Sequence, residues 1–398
     1  MKDVFIIDAV RTPVGKFGGA LSTIRPDDLG AMVIKALIER NPTIDINEIE
    51  DVIFGAANQA GEDNRNVARM SALLAGLPIT VGGNTVNRLC ASGLQSIADA
   101  SRAIACGDGD IYIAGGTESM TRAPFVMAKA ETAFSRVPEI YDTTIGWRFT
   151  NKALSNLYYP FSMGETAENV AEQWKISREE QDEFARASQQ KYQAAHDANI
   201  FANEIVPVLV PQKKGDSIRF EKDEHPRLSS MDELAKLKPA FKKDGSVTAG
   251  NSSGINDGAA ALILASEDAV KKYNLKPLAR LVSRGIAGVH PSIMGVGPIP
   301  ATQKALKRTG LSINDIGLVE LNEAFASQGL ACMRDLNINP DIVNVNGGAI
   351  AIGHPLGASG ARISTTLIHQ MQKQNVKYGL ATMCIGVGQG VALIFEKV

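Results

Sequence analysis

The first segment that could do chemistry surrounds a cysteine. In the stretch VNRLCASGLQS, Cys90 follows a strand-like run and precedes Ala91-Ser92-Gly93, which opens a helical pattern. A thiol at the start of a helix faces backbone amides without intrahelical partners and the positive end of the helix dipole. Both favour the thiolate, so the position predicts a lowered pKa and a nucleophilic sulfur. A buried structural cysteine is the alternative, and the turn alone does not decide between the two.

A glycine-rich loop carries the second candidate. His354 lies between Gly353 and Pro355 in NGGAIAIGHPLGASGAR, just before another helical pattern. Glycine permits close approach of a substrate, and proline restricts the backbone next to the imidazole. The histidine therefore suits a general base that takes the thiol proton, or a hydrogen-bond donor to a developing oxyanion.

Two further candidates lie where strand-like runs end. Cys384 opens CIGVGQG between two such runs, and the amides of this glycine-rich turn can form an oxyanion hole. An ordinary residue of a hairpin turn is the alternative for Cys384. Asn322 follows the run at residues 318–321, where its amide can hold a water or orient a histidine. Asn322 alone does not specify a site.

The elements that must position these side chains alternate between strands and helices. Asp27 and Asp28 after Pro26 can cap one helix, and a capping box beginning at Ser177 predicts another that runs to about Asp197. Strands are predicted within residues 4–7, 52–54, 111–114, 318–321 and 391–395. Such alternation predicts an α/β fold with largely parallel sheets.

A weak internal repeat suggests how the chain is organised. IDINEIEDVIFGAANQAG around Ile46 resembles LSINDIGLVELNEAFASQG around Ile313, and Ala-Ser-Gly at 91–93 recurs at 358–360 with the same offset of 267 residues. Two agreeing offsets predict a duplicated α/β unit. We expect an N-terminal half of residues 1–119 plus 251–259 and a C-terminal half of residues 260–398. Residues 120–250 would form a loop domain over a ligand site, with a solvated excursion as the alternative.

Composition excludes several function classes. The chain has 398 residues, of which 44% are hydrophobic, and a formal charge of −2, so bulk charge does not favour a nucleic-acid partner. No run approaches the roughly 18 apolar residues of a membrane span, and the first residues lack the apolar core of a signal peptide. Four cysteines do not suggest a disulfide framework, which favours the cytoplasm. We expect no metal, because His354 and the cysteines lack ligand spacing.

Four motifs together carry a resemblance to a known family. VNRLCASGLQS, NEAFA, GHPLGASGAR and CIGVGQG, in this order and at these separations, resemble the thiolases, and the likeness extends over essentially the whole chain. It implies a thiolase-like α/β fold, in which two duplicated five-layered α/β/α/β/α halves stack around buried central helices. It also implies an acyltransferase that uses CoA as a substrate, holds no permanently bound cofactor, and forms a homodimer or homotetramer.

The resemblance implies a role for each motif residue. Cys90 is similar to the nucleophile that carries the acyl group, and His354 to the histidine that activates it and helps bind the thioester oxygen. Cys384 is similar to the acid/base cysteine, and Asn322 to the asparagine that holds a water in the first oxyanion hole. The amides of Cys90 and Gly386 correspond to the second oxyanion hole, each donor of which is worth roughly 3–4 kcal/mol.

The resemblance also implies a CoA site. Ser253 is similar to a serine that contacts the pantetheine arm, and Arg227 is a candidate near the nucleotide end. Three apolar residues are similar to those that line the pantetheine tunnel, namely Met163, Phe241 and Phe325.

The substrate subtype follows from further segments. Residues 61–78, residues 142–149 and Val387 look most like the β-ketoadipyl-CoA thiolases of aromatic degradation, and Ser162 stands where biosynthetic acetoacetyl-CoA thiolases often have histidine. A 3-oxoadipyl chain ends in a carboxylate, which needs a cation in the acyl pocket. Arg148 or Arg65 is that candidate, with a structural ion pair as the alternative role of each.

Other enzymes and one binding protein remain as alternatives. A biosynthetic acetoacetyl-CoA thiolase or a general fatty-acid 3-ketoacyl-CoA thiolase would share every catalytic residue. A decarboxylating ketoacyl synthase would share the fold but normally lacks the cysteine of CIGVGQG. A non-catalytic, lipid-binding member of the superfamily is the fourth alternative, and the presence of all four catalytic positions argues against it.

Overall fold

The computed structural model describes residues 2–398. The strands of this part of the chain are β1 Val4–Arg11, β2 Gly15–Lys16, β3 Ile49–Gly55, β4 Gly82–Val86, β5 Ile111–Ser119, β6 Phe125–Met127, β7 Ile140–Asp142, β8 Val208–Val210, β9 Ile218–Phe220, β10 Asn256–Ser266, β11 Ala279–Gly288, β12 Leu318–Leu321, β13 Tyr378–Ile385 and β14 Gln389–Lys397. The α-helices are α1 Pro26–Arg40, α2 Val67–Leu74, α3 Ser92–Cys106, α4 Lys152–Leu157, α5 Met163–Gln173, α6 Arg178–Asp197, α7 Met231–Ala235, α8 Glu267–Lys272, α9 Pro298–Thr309, α10 Ala326–Leu336, α11 Ala349–Ile352 and α12 Leu356–Gln374. No helix within residues 2–398 is long and apolar enough to cross a membrane.

One sheet of ten strands runs through the molecule. Its order is β12-β13-β14-β11-β1-β10-β5-β3-β4, with β2 added on β10. The pairs β3–β4, β3–β5 and β12–β13 are parallel, and the other pairs are antiparallel. The prediction of largely parallel sheets is therefore wrong. Helical crossovers keep the other main strands of each half in one direction, but β10 enters antiparallel between β1 and β5 after a long insertion, and β14 enters antiparallel between β11 and β13 through a hairpin.

The duplication predicted from the offset is visible in the order of the elements. The series β1-α1-β3-α2-β4-α3-β5-β10 recurs as β11-α9-β12-α10-α12-β13-β14, and a single bridge between Val319 and Val343 stands in the place of β4. The two sets of strands meet where β1 pairs with β11. The α/β architecture of two similar halves is thereby confirmed.

Two buried helices pack against each other at the centre. These are α3 and α12, whose apolar side chains share one core with both sets of strands. A Cβ on Gly93 would lie 2.6 Å from the backbone nitrogen of Ala361, and one on Gly360 would lie 2.1 Å from that of Leu94. Only glycine allows this approach, so the repeated Ala-Ser-Gly triplets are the points where the central helices touch.

A long insertion separates two paired strands, β5 and β10. It leaves the sheet at the end of β5 and returns at β10, and it holds α4 to α7 and the small antiparallel pairs β6–β7 and β8–β9. The capping box at Ser177 is confirmed, and α6 ends at Asp197 as predicted. The proposed division between residues 259 and 260 falls inside β10, which pairs with β1 and β5 along its length.

The first helix begins differently from the prediction. Its N-cap is Arg25, which makes no side-chain capping bond, while Asp27 and Asp28 lie in the first turn. There the two carboxylates complement the helix dipole instead of capping the helix.

Candidate active site

A tight turn between β4 and α3 presents Cys90. Leu89 has a φ of +47°, a left-handed conformation that a side chain seldom adopts. Ser92 holds the turn, because its Oγ accepts from the Arg88 backbone N–H at 2.9 Å and donates to the Leu89 carbonyl at 2.7 Å. Backbone strain of this kind marks functional positions. Here it holds Cys90, which is partly buried, directly before the helix.

The pKa of the Cys90 thiol differs from the expectation. Burial raises it to about 11, although the backbone N–H groups of Gly386 and of Cys90 itself favour the thiolate. The desolvation of the charged form outweighs the amides at the helix start. In the free protein the nucleophile is therefore a protonated thiol that needs a base.

His354 is buried and held on three sides. Gly353 before it has a φ of +113°, and a Cβ there would lie 2.6 Å from the Asn256 side chain, so only glycine fits. Asn256 Oδ1 accepts from the His354 backbone N–H at 2.9 Å. The ring Nδ1 lies 2.6 Å from Ser359 Oγ, which itself donates to the Pro355 carbonyl at 2.8 Å.

These contacts assign the histidine tautomer. The Ser359 hydroxyl donates its one proton to the Pro355 carbonyl, so Ser359 Oγ must accept from Nδ1–H of His354. Nε2 is then the unprotonated nitrogen, which can take a proton. Burial, and secondarily the positive charge of Arg362, lowers the His354 pKa to about 3, so the ring is neutral. Burial thus favours the neutral form of both the His354 imidazole and the Cys90 thiol.

Asn322 lies beside the same ring. It follows β12, and its Nδ2 approaches His354 Nε2 at 3.3 Å. Its Oδ1 is buried and has no hydrogen-bond partner within residues 2–398. A buried carbonyl oxygen without a donor is costly, so this atom is a place for a water or a substrate group that donates a hydrogen bond.

The turn between β13 and β14 contributes Cys384 and Gly386. Cys384 is buried at the end of β13 and packs in one apolar cluster with Met163 and Phe325. Burial raises its pKa well above the ordinary value, and a negative charge on Cys90 would raise it further. Val387 follows Gly386 with a φ of +64°, which is a strained conformation for a β-branched residue.

A buried carboxylate at this site was missed by the sequence analysis. Glu118, near the end of β5, accepts backbone N–H bonds from Ala57 at 2.8 Å, Asn58 at 3.1 Å and Gly357 at 2.7 Å. It thus ties the start of α12 to the end of β3. Burial raises its pKa to about 7. The sequence offered one signal for this residue. The glutamate lies in AGGTES, the glycine-rich end of a strand-like run.

One pocket of about 360 Å³ opens at the nucleophile. Its lining includes Cys90, Gly386 and Met163 from the predicted set, together with Ser162 and Arg148. The Ser162 side chain accepts from the Glu165 backbone N–H in a capping box at the start of α5. Arg65, the other candidate cation, is exposed and does not line this pocket.

The predicted CoA residues lie mostly outside that pocket. The rings of Phe241 and Phe325 meet edge to face with centroids 6.2 Å apart. Ser253 donates its backbone N–H to the Ala324 carbonyl at 3.0 Å, next to Phe325. Arg227 lines a separate pocket of about 190 Å³ and contacts His225. Within residues 2–398, no group of three or more histidine, cysteine or acidic side chains is arranged to hold a metal.

Comparison with known families decides what this arrangement belongs to. The family model of the thiolase N-terminal domain matches residues 4–268, and that of the thiolase C-terminal domain matches residues 275–397. The chain belongs to the thiolase family. The two matches are separated by residues 269–274, which lie in the connection from β10 to β11 between the two halves of the chain.

Individual thiolases are similar over the full length. A β-ketoadipyl-CoA thiolase of Acinetobacter baylyi is 56% identical over 401 residues and covers 100% of both chains. The crystal structure of the Bacillus anthracis acetyl-CoA acetyltransferase superposes with a TM-score of 0.94 at 42% identity, covering 100% of this chain and 99% of that one. Human mitochondrial 3-ketoacyl-CoA thiolase in complex with CoA gives a TM-score of 0.93 at 42% identity, covering 100% and 98%.

Proposed function

We propose that this thiolase cleaves 3-oxoadipyl-CoA with CoA to succinyl-CoA and acetyl-CoA, through an acyl thioester on Cys90. The observation that carries the proposal is the Cys90 thiol, which opens onto a pocket with a cation in its lining, in a chain 56% identical to a β-ketoadipyl-CoA thiolase. The reaction is reversible as a Claisen condensation.

The first step generates the nucleophile. His354 Nε2 takes the Cys90 proton as the sulfur attacks the C3 carbonyl of the substrate. The tautomer fixed by Ser359 supports this role, because Nε2 is the unprotonated nitrogen. A raised thiol pKa and a lowered imidazole pKa both oppose a standing ion pair, so proton transfer accompanies attack.

The second step breaks the carbon–carbon bond. The C2–C3 bonding pair leaves as the enolate of acetyl-CoA, and the Cys384 thiol protonates its α-carbon. The buried Cys384 thiol suits this step because burial keeps it protonated until a carbanion forms beside it. Two groups of donors would stabilise the oxyanions. One is the donor that the unpaired Oδ1 of Asn322 would hold, and the other is the pair of backbone amides of Cys90 and Gly386.

The third step releases the acyl group. Cys384, now a thiolate, removes the proton of an incoming CoA thiol, whose sulfur attacks the succinyl group on Cys90. The Cys90 sulfur leaves and recovers its proton from His354. Two half-reactions that share one covalent enzyme predict ping-pong kinetics.

CoA enters this scheme as a substrate, without any permanently held cofactor. Met163, Phe241 and Phe325 would line its pantetheine arm, Ser253 would contact that arm, and Arg227 would lie near the nucleotide. The contact of the two phenyl rings supports a shared apolar wall. We place the insertion of residues 120–250 over this site as a loop domain, and the enzyme in the cytoplasm as a homodimer or homotetramer.

A comparison of kcat/KM values tests the proposed substrate. Thiolysis of 3-oxoadipyl-CoA is measured against acetoacetyl-CoA and a medium-chain 3-oxoacyl-CoA. We expect a preference of at least tenfold for 3-oxoadipyl-CoA, which corresponds to about 1.4 kcal/mol in the transition state. A preference for either neutral substrate would reject 3-oxoadipyl-CoA as the substrate, but it would not contradict the thiolase reaction through Cys90. Light scattering of the purified protein would separate dimer from tetramer.

A further inference from the structure

We infer that Arg148 determines specificity in this thiolase by binding the distal carboxylate of the acyl chain held on Cys90. The inference rests on the proposed function and names the group that distinguishes a dicarboxylic from a neutral acyl chain. Arg148 and Cys90 line the same pocket, so a chain attached to the sulfur can extend toward the guanidinium.

Arg148 has no protein partner for its charge. It is half-buried and forms neither an ion pair nor a hydrogen bond with any residue within 2–398. The other half-buried arginines all have an acceptor. Arg122 is paired with Glu62 at 2.5 Å and Arg280 with Glu396 at 2.5 Å, while those without a carboxylate still donate a hydrogen bond, as Arg88 does to Gln95 at 2.7 Å. A partly desolvated guanidinium without a counter-ion is unfavourable, and a carboxylate of the ligand would offer it a bidentate contact. The absence of a partner removes the structural ion pair as an explanation of this residue.

The segment that carries Arg148 is anchored on both sides. Trp147 Nε1 donates to the Phe161 carbonyl at 3.0 Å, and Asn58 Nδ2 donates to Thr143 Oγ1 at 2.9 Å. The Phe149 ring packs edge to face on Tyr141, with centroids 4.9 Å apart. A backbone held in this way reduces the entropy cost of fixing the arginine on a ligand.

The rest of the pocket leaves the arginine's charge available. Glu118 is the one carboxylate in its lining, and it accepts three backbone N–H bonds instead of pairing with Arg148. Apolar side chains fill much of the remaining wall, among them Ile145, Leu356 and Val387. Apolar surroundings strengthen the attraction between a guanidinium and a carboxylate.

Arg65 provides a matched control. It was an equal candidate in the sequence, but it is exposed and lies outside the pocket. Neither an ion pair nor a hydrogen bond joins its side chain to the described residues. Substitution of Arg65 therefore removes the same charge from the chain without changing the pocket.

The test is a cycle of substrate and enzyme variants. The kcat/KM values of the wild type, Arg148→Gln, Arg148→Lys and Arg65→Gln are measured with 3-oxoadipyl-CoA, its ω-methyl ester and acetoacetyl-CoA. We expect Arg148→Gln to lower the ratio of 3-oxoadipyl-CoA to acetoacetyl-CoA activity at least 30-fold. Arg148→Lys should lower it less, and Arg65→Gln should change it less than twofold.

The methyl ester separates charge from shape. In the wild type, esterification should reduce activity by a similar factor, and in Arg148→Gln it should have little further effect. An unchanged ratio in Arg148→Gln, or an ester as good as the acid in the wild type, would overturn the inference. If Arg148→Gln does not fold, acid and ester are compared in Arg148→Lys, where the ester penalty should be smaller than in the wild type and an equal penalty would contradict the inference. The proposed substrate itself is tested separately. If the wild-type enzyme prefers acetoacetyl-CoA, the proposed substrate is rejected, whereas the change of the activity ratio between wild type and variants tests only the role of Arg148.

Discussion

Removing the hydroxyl of Ser359 is expected to slow catalysis without unfolding the protein. Ser359 Oγ accepts the Nδ1–H of His354 at 2.6 Å and fixes the tautomer whose Nε2 can take the Cys90 proton. In Ser359→Ala the ring loses this acceptor, so the tautomer with the proton on Nε2 becomes competitive. The imidazolium that forms when Cys90 attacks also loses a partner for its charge.

The magnitude follows from the kind of bond that is lost. A hydrogen bond to a charged group contributes about 1.5–3 kcal/mol, whereas one between neutral groups contributes about 1 kcal/mol. Since the imidazole becomes charged only during the reaction, most of the loss falls on the transition state. The difference between the two kinds of bond is about 0.5–2 kcal/mol. At about 1.4 kcal/mol for each factor of ten, kcat should therefore fall roughly 2- to 30-fold, with a smaller change in KM.

Ser364 supplies the control for this measurement. It is also a buried serine of α12, and it donates to the carbonyl four residues earlier, that of Gly360, at 2.9 Å, as Ser359 does to Pro355. Ser364→Ala therefore removes the same helix contact without touching the histidine. Steady-state thiolysis and the thermal midpoints of both variants are compared. Equal kcat values for the two variants, or a fall in Ser359→Ala explained by a lower midpoint, would refute the assigned tautomer.

Three further perturbations have defined outcomes. Val387→Gly should raise the thermal midpoint by roughly 1–2 °C, because it relieves a φ of +64°, and a fall measured by calorimetry would contradict the strain. Gly360→Ala should yield destabilised or insoluble protein, since its Cβ would lie 2.1 Å from the Leu94 nitrogen, whereas at Gly288 the nearest atom would be 3.7 Å away and alanine should be tolerated. The rate of Cys90 alkylation by iodoacetamide should rise about tenfold per pH unit from pH 8 to 10, because a pKa of about 11 leaves the thiolate scarce, and a plateau near pH 8 would show a lower pKa.

Much of the architecture could be predicted from the sequence because it depends on local patterns. The run at 318–321 coincides with β12, and the capping box at Ser177 begins α6, since strand periodicity and caps involve neighbouring residues. Strand direction could not be predicted in the same way. It depends on which strands pair across the sheet. Strand β10 pairs with β5 although a long insertion separates them in the sequence, and local residue patterns carry no information about such a pairing.

Some of the residues that the sequence singles out by their own chemistry lie near one another in the structure. Cys90 and Gly386 line one pocket, and Asn322 approaches His354 at 3.3 Å. The supporting contacts were missed because each joins distant segments, as Glu118 does with the Gly357 amide. The expected lowering of the Cys90 pKa failed for a related reason, since burial is a property of the packed molecule and not of a helix start.

The duplication explains why two similar turns can carry different chemistry. With the offset of 267 residues, Ser92 corresponds to Ser359, and each serine holds the turn before a central helix. In the first half that turn presents Cys90, and in the second it presents His354. The same offset relates Asn322 to Gly55 at the ends of β12 and β3.

Divergence at those paired positions brings the two turns together. A Cβ on Gly55 would lie 2.7 Å from the Gly357 carbonyl oxygen, and one on Gly116, at the equivalent end of β5, would lie 2.0 Å from it. At these two positions the strands of the first half carry no side chain, and the turn of the second half packs onto them, whereas Asn322 occupies the position equivalent to Gly55. The repeat therefore places the candidate nucleophile in one half and the candidate base in the other, each on the turn that precedes a central helix.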